Sequence, residues 1–334
     1  MICDAIPAIM ETVWNECRQA AWKNKEGDRT MERAEQIYQR LVEICGERNV
    51  LRDEPMKNHT LVRIGGKADF LVWPETYEQV IEVLRLKEEY GLPFTLLGNG
   101  SNVIIRDGGL RGIVMQLRHL NRIWREGNNV IAQSGADIKA VSRFALEQHL
   151  TGLEFACGIP GSVGGAIMMN AGAYGGEVKD VLDSVKVATL AGELKTLKNE
   201  ELELGYRTSI ISRTHDIVLE VVFALQPGDY AQIKAKMDDL TFQRESKQPL
   251  EYPSVGSVFK RPPGYFAGKL IQDSGLQGKG FGGAEVSTKH AGFIINKNNA
   301  TAADYIATIE MVRKTVKEKF GVDLELEVKI IGEE

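Results

Sequence analysis

The sequence predicts an α+β protein built in more than one part, and three observations carry that expectation. From about residue 60 strand-like and helix-like patterns alternate. Two glycine-rich loops interrupt the alternation. After "LQPGD", residues 225–229, the pattern changes to long helices separated by further glycine loops. A length of 334 residues, against a prior of roughly 150 per domain, also favours two domains or one with an insertion.

Composition narrows the class. Hydrophobic residues at 43% and charged residues at 26% are ordinary for a soluble globular chain. A net charge of -5 and the lack of any basic block argue against a nucleic-acid partner. The four cysteines, Cys3, Cys17, Cys45 and Cys157, form no C-x-x-C pair and read as reduced thiols. The five histidines are dispersed, so no metal site is expected. The N-terminus lacks a basic leader, and no run approaches ~20 apolar residues; the expected location is cytoplasmic.

Along the chain, residues 1–30 end in the polar run "KNKEGDRT" and are expected to be an extension outside the fold. Residues 31–229 are expected to form the first domain and 230–334 the second. Met31 opens an amphipathic run, "MERAEQIYQRLVEIC". "ADFLVWP" and "PFTLLGNG" read as strands around a helix, "TYEQVIEVLRLKEEYG". Thr76 and Gln79 make a capping-box pair for that helix, and Gly91 stops it. Strand patterns follow at "NVIIRD", "GIVMQL" and "NVIAQSGA". Asp137 then caps a helix with Ile138, Val141, Ala145 and His149 on one face. "SVKVATL" and "DIVLEVVFAL" read as strands, and "YAQIKAKMDDLTFQRES" as a helix. "AGFIIN" is a strand. Thr301 caps a last helix with Tyr305, Ile309, Val312 and Val316 at helical spacing, and Gly321 ends it. "DLELEVKII" alternates, with Glu325, Glu327 and Lys329 opposite Leu324, Leu326 and Val328.

The glycine loops carry the first chemical hint. One is "LLGNGSNVII", with Gly98, Asn99, Gly100, Ser101 and Asn102. The other is "CGIPGSVGGA", with Gly158, Ile159, Pro160, Gly161, Ser162, Gly164 and Gly165. Missing Cβ atoms let backbone N–H groups close on an anion, and Ser and Asn add short donors; tight turns are the alternative. Neither loop is the G-x-G-x-x-G of a Rossmann crevice, and no G-x-x-x-x-G-K-[ST] occurs.

Five stretches, "LLGNGSNVIIRDGG", "GIPGSVGGAIMMNAGAYGGE", "LGYRTSII", "VGSVFKRP" and "LELEVKIIG", occur in this order. Together the chain, from about residue 50 onward, resembles the UDP-N-acetylenolpyruvoylglucosamine reductases, flavoenzymes of peptidoglycan precursor synthesis. The resemblance implies a two-subdomain FAD-binding fold of the vanillyl-alcohol-oxidase/PCMH type, then an α/β substrate-binding domain whose last strand returns to the FAD domain. It implies non-covalent FAD held by the two loops, with Asn170 near the flavin, and NADPH as reductant. The implied substrate is UDP-N-acetylglucosamine enolpyruvate, reduced to UDP-N-acetylmuramate by hydride to C3 and a proton to C2. A monomer is expected.

By the same resemblance Arg207 of "GYRTS" meets the substrate carboxylate, Glu327 shares the charge, and Ser257 gives the proton. A weak, uncharged acid suits a carbanionic carbon that is itself a strong base. Tyr206, Lys247, Lys260 and Arg261 are matched as substrate contacts. About fifty residues separate Arg207 from Ser257, with no tyrosine-bearing insertion, so the chain resembles the family's shorter type.

Other classes remain as comparisons. Ser257-Val-Phe-Lys260 is a literal S-x-x-K, as in serine acyl-enzymes, but S-D-N and K-T-G are missing and "RPPG" opposes a helix there. A flavin oxidase would tether its cofactor through His or Cys, for which Cys157 is the candidate. A non-enzymatic nucleotide-binding module would show no flavin spectrum.

Overall fold

A computed structural model describes residues 27–334; nearly all of the stretch expected as an extension, residues 1–30, lies outside the described residues. The first helix, Gly27–Cys45, begins before Met31. Its Ile37, Leu41 and Cys45 are buried against Val80, Val83 and Leu84 of the helix Tyr77–Tyr90. That second helix starts where Thr76 Oγ1 accepts from Gln79 N and stops where Gly91 turns left-handed. Gln79 Oε1 accepts from the backbone N–H of Glu75 rather than of the cap residue.

Three sheets organise the chain. In the first the order is Val50–Pro55, Lys67–Val72, Leu110–Met115, Phe94–Leu96; the outer pair is antiparallel and the other two pairings are parallel. The second has five strands, Leu194–Lys198, Leu182–Ala188, Ile217–Ala224, Asn129–Gln133 and Ile123–Glu126, all antiparallel. The alternating runs "SVKVATL" and "DIVLEVVFAL" supply its centre, with Val185, Val187, Val221 and Phe223 buried. The third contains Ser254–Ser257, Phe293–Asn296, Ala284–Val286 and Gly280–Phe281. It is backed by the helix Ala302–Phe320, whose Tyr305, Ile309, Val312 and Val316 are fully buried as their spacing requires.

The chain end crosses back. Lys329–Ile331 pairs in parallel with Val103–Ile105, the strand that directly follows the first glycine loop. A strand over the whole of "DLELEVKII" is not formed. Leu324 and Val328 are buried, so the alternation is a true burial signal. Yet Glu327 N and Val328 N both point to the carbonyl of Val258, and Leu326 makes a single bridge to Phe259. Residues 324–328 thus cross an irregular partner instead of joining a ladder. His149 also departs from its expected helical face. The helix ends at Glu147, and His149 is left-handed (φ 57°) beyond it, with its ring 5.6 Å from that of Tyr230.

Among the described residues no helix is long and apolar enough to cross a membrane, and no group of three or more His, Cys, Asp or Glu is placed to hold a metal.

Candidate active site

The two glycine loops face each other. A Cβ on Gly98 would sit 2.7 Å from Ser162 Oγ, and one on Gly161 would sit 3.1 Å from Ser101 Oγ. Both distances are tighter than ordinary side-chain packing, so a Cβ at either position would push the facing serine hydroxyl aside. Between them opens a cleft, lined by Gly98 and Asn99 on one side and Ser162, Gly164 and Gly165 on the other. Ser162 caps the short helix Val163–Met168 by accepting from Gly165 N. That helix was not legible in "GSVGGAIMM": glycine disfavours helix, and the burial of Val163, Ala166 and Ile167 holds it instead.

A third wall was missed in the sequence. Ser134 and Gly135, at the end of the strand Asn129–Gln133, line the cleft with Gln116. A Cβ on Gly164 would lie 2.1 Å from Ser134 Oγ, and one on Gly135 1.8 Å from the carbonyl of Leu117. The glycine after "NVIAQS" was the available signal. Gln116 is held by the indole N–H of Trp73 and donates to the carbonyl of Gly98, which fixes the first loop from behind. Gly100 packs its bare Cα against His59–Thr60. Gly158, Ile159 and Pro160 sit outside the cleft lining, and Gly158 lies against the Arg244 side chain.

Two asparagines assigned to the cofactor turn their side chains elsewhere. Asn102 Nδ2 donates to the carbonyl of Glu327 at 3.0 Å. Asn170 is fully buried. Its Nδ2 donates to Glu177 Oε2 and to the carbonyl of Gly205, and its Oδ1 accepts from Lys179 N. Its amide is spent inside the protein.

The residues from the three C-terminal motifs converge. Arg207 stands in a tight turn closed by reciprocal backbone bonds between Gly205 and Thr208, with φ 57°. Its Nε donates to Glu327 Oε1 at 2.7 Å, and both side chains are largely buried, 22% and 14% exposed. The bond uses Nε, and the terminal nitrogens of the fork retain their donors. Burial pushes the Glu327 carboxyl above the usual carboxylate range, while Arg207 and then Lys260 pull it back. Ser257 lies one residue from Val258, whose carbonyl accepts from Glu327 N. Gly256 has φ 77°, and the pairing of Ser254–Ser257 with Phe293–Asn296 is irregular there. In a regular strand Ser257 would share the buried side of Val255; the bulge turns it to solvent. No helix follows it, so the S-x-x-K geometry of an acyl-enzyme is missing.

Two family models match the chain: an FAD binding domain over residues 68–198, and the C-terminal domain of UDP-N-acetylenolpyruvoylglucosamine reductase over residues 248–331. A reductase of that name from Geobacillus kaustophilus is 98% identical over 304 residues, which is 91% of this chain and all of that one. One from Oceanobacillus iheyensis is 62% identical, covering 89% of this chain and 97% of the relative. The chain belongs to the UDP-N-acetylenolpyruvoylglucosamine reductase family. The crystal structure of the Thermus caldophilus reductase (MurB) superimposes with a TM-score of 0.73 at 33% identity, over 84% of this chain and 98% of that one.

The α+β fold is therefore the family's FAD-binding fold with its C-terminal domain, and the protein is an FAD-dependent oxidoreductase. The cleft fits that cofactor on its own evidence. Its walls are backbone-rich where added Cβ atoms would collide, as a diphosphate cradle needs. Cys157 is directed away from a tether role: its Sγ lies 3.6 Å from the carbonyl of Met237 and 3.7 Å from Thr241 Oγ1, and burial raises its pKa. Around the reductase's charged pair, Lys260 is committed to Glu325. Arg261 lies on the Phe266 ring at 4.0 Å and donates its backbone N–H to Tyr206 Oη. Lys247 is exposed at the end of the helix Tyr230–Lys247.

Proposed function

We propose that this chain reduces the enolpyruvyl ether of UDP-N-acetylglucosamine to a lactyl ether with electrons from NADPH, giving UDP-N-acetylmuramate for peptidoglycan. The observation that carries the reading is the largely buried Arg207–Glu327 ion pair, with Ser257 next in sequence to Val258, whose carbonyl accepts from Glu327 N.

Bound FAD, held without a covalent bond by Gly98 and Asn99 of the first loop, by Ser162, Gly164 and Gly165 of the second and by Ser134, would supply the hydride at C3 of the enolpyruvyl group. Arg207 answers the charge that then develops on C2 and its carboxylate. Its fork is planar and never deprotonates, so a carboxylate can be met by two parallel N–H donors. Largely buried, that positive charge is worth more than it would be in water. Glu327 orients the guanidinium through Nε, and its raised pKa lets it hold a proton more readily than an exposed glutamate. Ser257 donates the proton to C2. The bulge at Gly256 presents its hydroxyl, and the donor adds no charge to the site. Lys247, Tyr206 and Arg261 remain the candidates for the nucleotide half. Lys260, paired with Glu325 and close enough to lower the Glu327 pKa, is the further candidate for a substrate contact.

Residues 31–229 are read as the FAD-binding part and 230–334 as the substrate part, working as a cytoplasmic monomer.

The test is anaerobic. NADPH should reduce the flavin, and the enolpyruvyl substrate should then reoxidise it. Ser257→Ala should keep the first half and slow the second by about 10²–10⁴. Equal slowing of both halves would remove Ser257 from the donor role, and no reoxidation by the parent would defeat the reaction.

A further inference from the structure

Neither member of the Arg207–Glu327 pair stands on regular secondary structure. Arg207 is in a turn with a left-handed backbone, a strained conformation for a residue with a Cβ that persists only where surroundings over-determine it. Glu327 is in the irregular crossing before Lys329–Ile331. Something other than a helix or ladder must hold a 2.7 Å ion pair in place.

Two carboxamides do so, one on each side. Asn102 makes two bonds around Val328: its side-chain Nδ2 donates to the carbonyl of Glu327, and its backbone carbonyl accepts from Lys329 N at 3.1 Å. The backbone bond opens the parallel pairing that follows, while the side-chain bond reaches past it to Glu327 and is the one that depends on the carboxamide. Asn170 donates to the carbonyl of Gly205 at 3.1 Å, at the base of the turn that carries Arg207. The same turn is tied to the short helix Val163–Met168 by Ser209 Oγ, which donates to the carbonyl of Met168. Both asparagines belong to the segments that wall the cofactor cleft.

Resting on the reaction proposed above, we infer that Asn102 and Asn170 are positioning residues that fix Glu327 and Arg207, respectively, relative to the cofactor cleft. A carboxamide suits the task because it donates to a main-chain carbonyl without adding charge. Aspartate in either place would set an acceptor against an acceptor.

The test uses the full chain with FAD bound. Asn102→Ala removes one clamp, and Asn170→Gly removes the other while keeping the left-handed backbone accessible. FAD affinity and flavin reduction by NADPH should stay within about threefold of the parent, since neither amide faces the cleft. Reoxidation by the enolpyruvyl substrate should slow about tenfold to a hundredfold, as a kcat effect larger than any KM effect. Asn102→Asp should be at least as slow as Asn102→Ala. Asn102 is only half-buried, so Asn102→Ala and Asn102→Asp carry the test if Asn170→Gly fails to fold. Reoxidation at the parental rate, or a parallel loss of FAD affinity and both half-reactions, would overturn the inference. A parent that is reduced by NADPH yet never reoxidised by substrate would overturn the reaction itself, and the inference with it.

Discussion

Glu325 and Glu327 are two residues apart on the same side of one alternating run, and the chain treats them differently. Glu325 is exposed and pairs with Lys260, whereas Glu327 is largely buried beside Arg207. The alternation was legible in the sequence, but it assigns both to one face. Only the crossing of Val258 over Glu327 and the turn at Arg207 separate their environments. The difference has a measurable sign. Burial raises the Glu327 pKa, so the ionised form is the less favoured one in the folded protein. Its stabilising contribution is full below the unfolded value of about 4.3 and is lost as pH rises through the folded value. Glu327→Gln has no such titration. The melting temperature of Glu327→Gln relative to the parent should therefore climb as pH rises from about 4 toward neutrality, while turnover is lost. A relative melting temperature that falls over that range would contradict the assignment. Arg207→Lys should also fold, but should lose about a hundredfold or more in kcat/KM, because an ammonium cannot make the two parallel bonds.

At the scale of elements, runs with strong periodicity and capped helices were readable. Thr76, Asp137 and Thr301 cap where their positions suggested, and Gly91 and Gly321 turn left-handed. What could not be read was structure set by contacts between distant segments. The helix Val163–Met168 forms against glycine propensity, and the bulge at Gly256 appears only when Ser254–Ser257 meets Phe293–Asn296. Two glycines that look alike in the sequence should therefore fail differently. Gly256 has open space around its missing Cβ but φ 77°. Gly256→Ala should cost about 1–2 kcal/mol of stability through backbone strain and should slow proton delivery by letting the bulge relax. Gly164 has no such φ, but its Cβ would meet Ser134 Oγ at 2.1 Å. Gly164→Ala should chiefly lower FAD affinity, by about tenfold or more, as the Ser134 wall is pushed aside. Thermal unfolding and flavin titration of the two variants separate strain from collision.

Across the whole molecule, the chain end joins what the sequence keeps apart. Val103–Ile105 leaves the first glycine loop and receives Lys329–Ile331, more than two hundred residues later, as its parallel partner. Further on, Arg106 N donates to the carbonyl of Ile331, Gly108 N to that of Glu333, and Glu333 N to that of Gly109. The sequence showed the last run as apolar and alternating, but nothing local in it names Val103–Ile105 as partner, because parallel pairing at this separation is set by the tertiary fold. The consequence is that one short sheet joins the strand just after Glu327 to the strand just after the loop expected to carry the FAD diphosphate. Deleting residues 329–334 should then do more than trim a terminus. It should unpair Val103–Ile105, loosen loop 98–102, and lower FAD affinity and thermal stability together. Excess FAD should recover part of the lost melting temperature by mass action, since ligand bound to the folded state stabilises it in proportion to the logarithm of its concentration. Release of flavin on dilution, followed by its fluorescence, measures the first effect, and a melting series against added FAD measures the second. If the shortened chain kept the parental FAD affinity, the return of the chain end would be a stability device alone, with no hold on the cofactor loop.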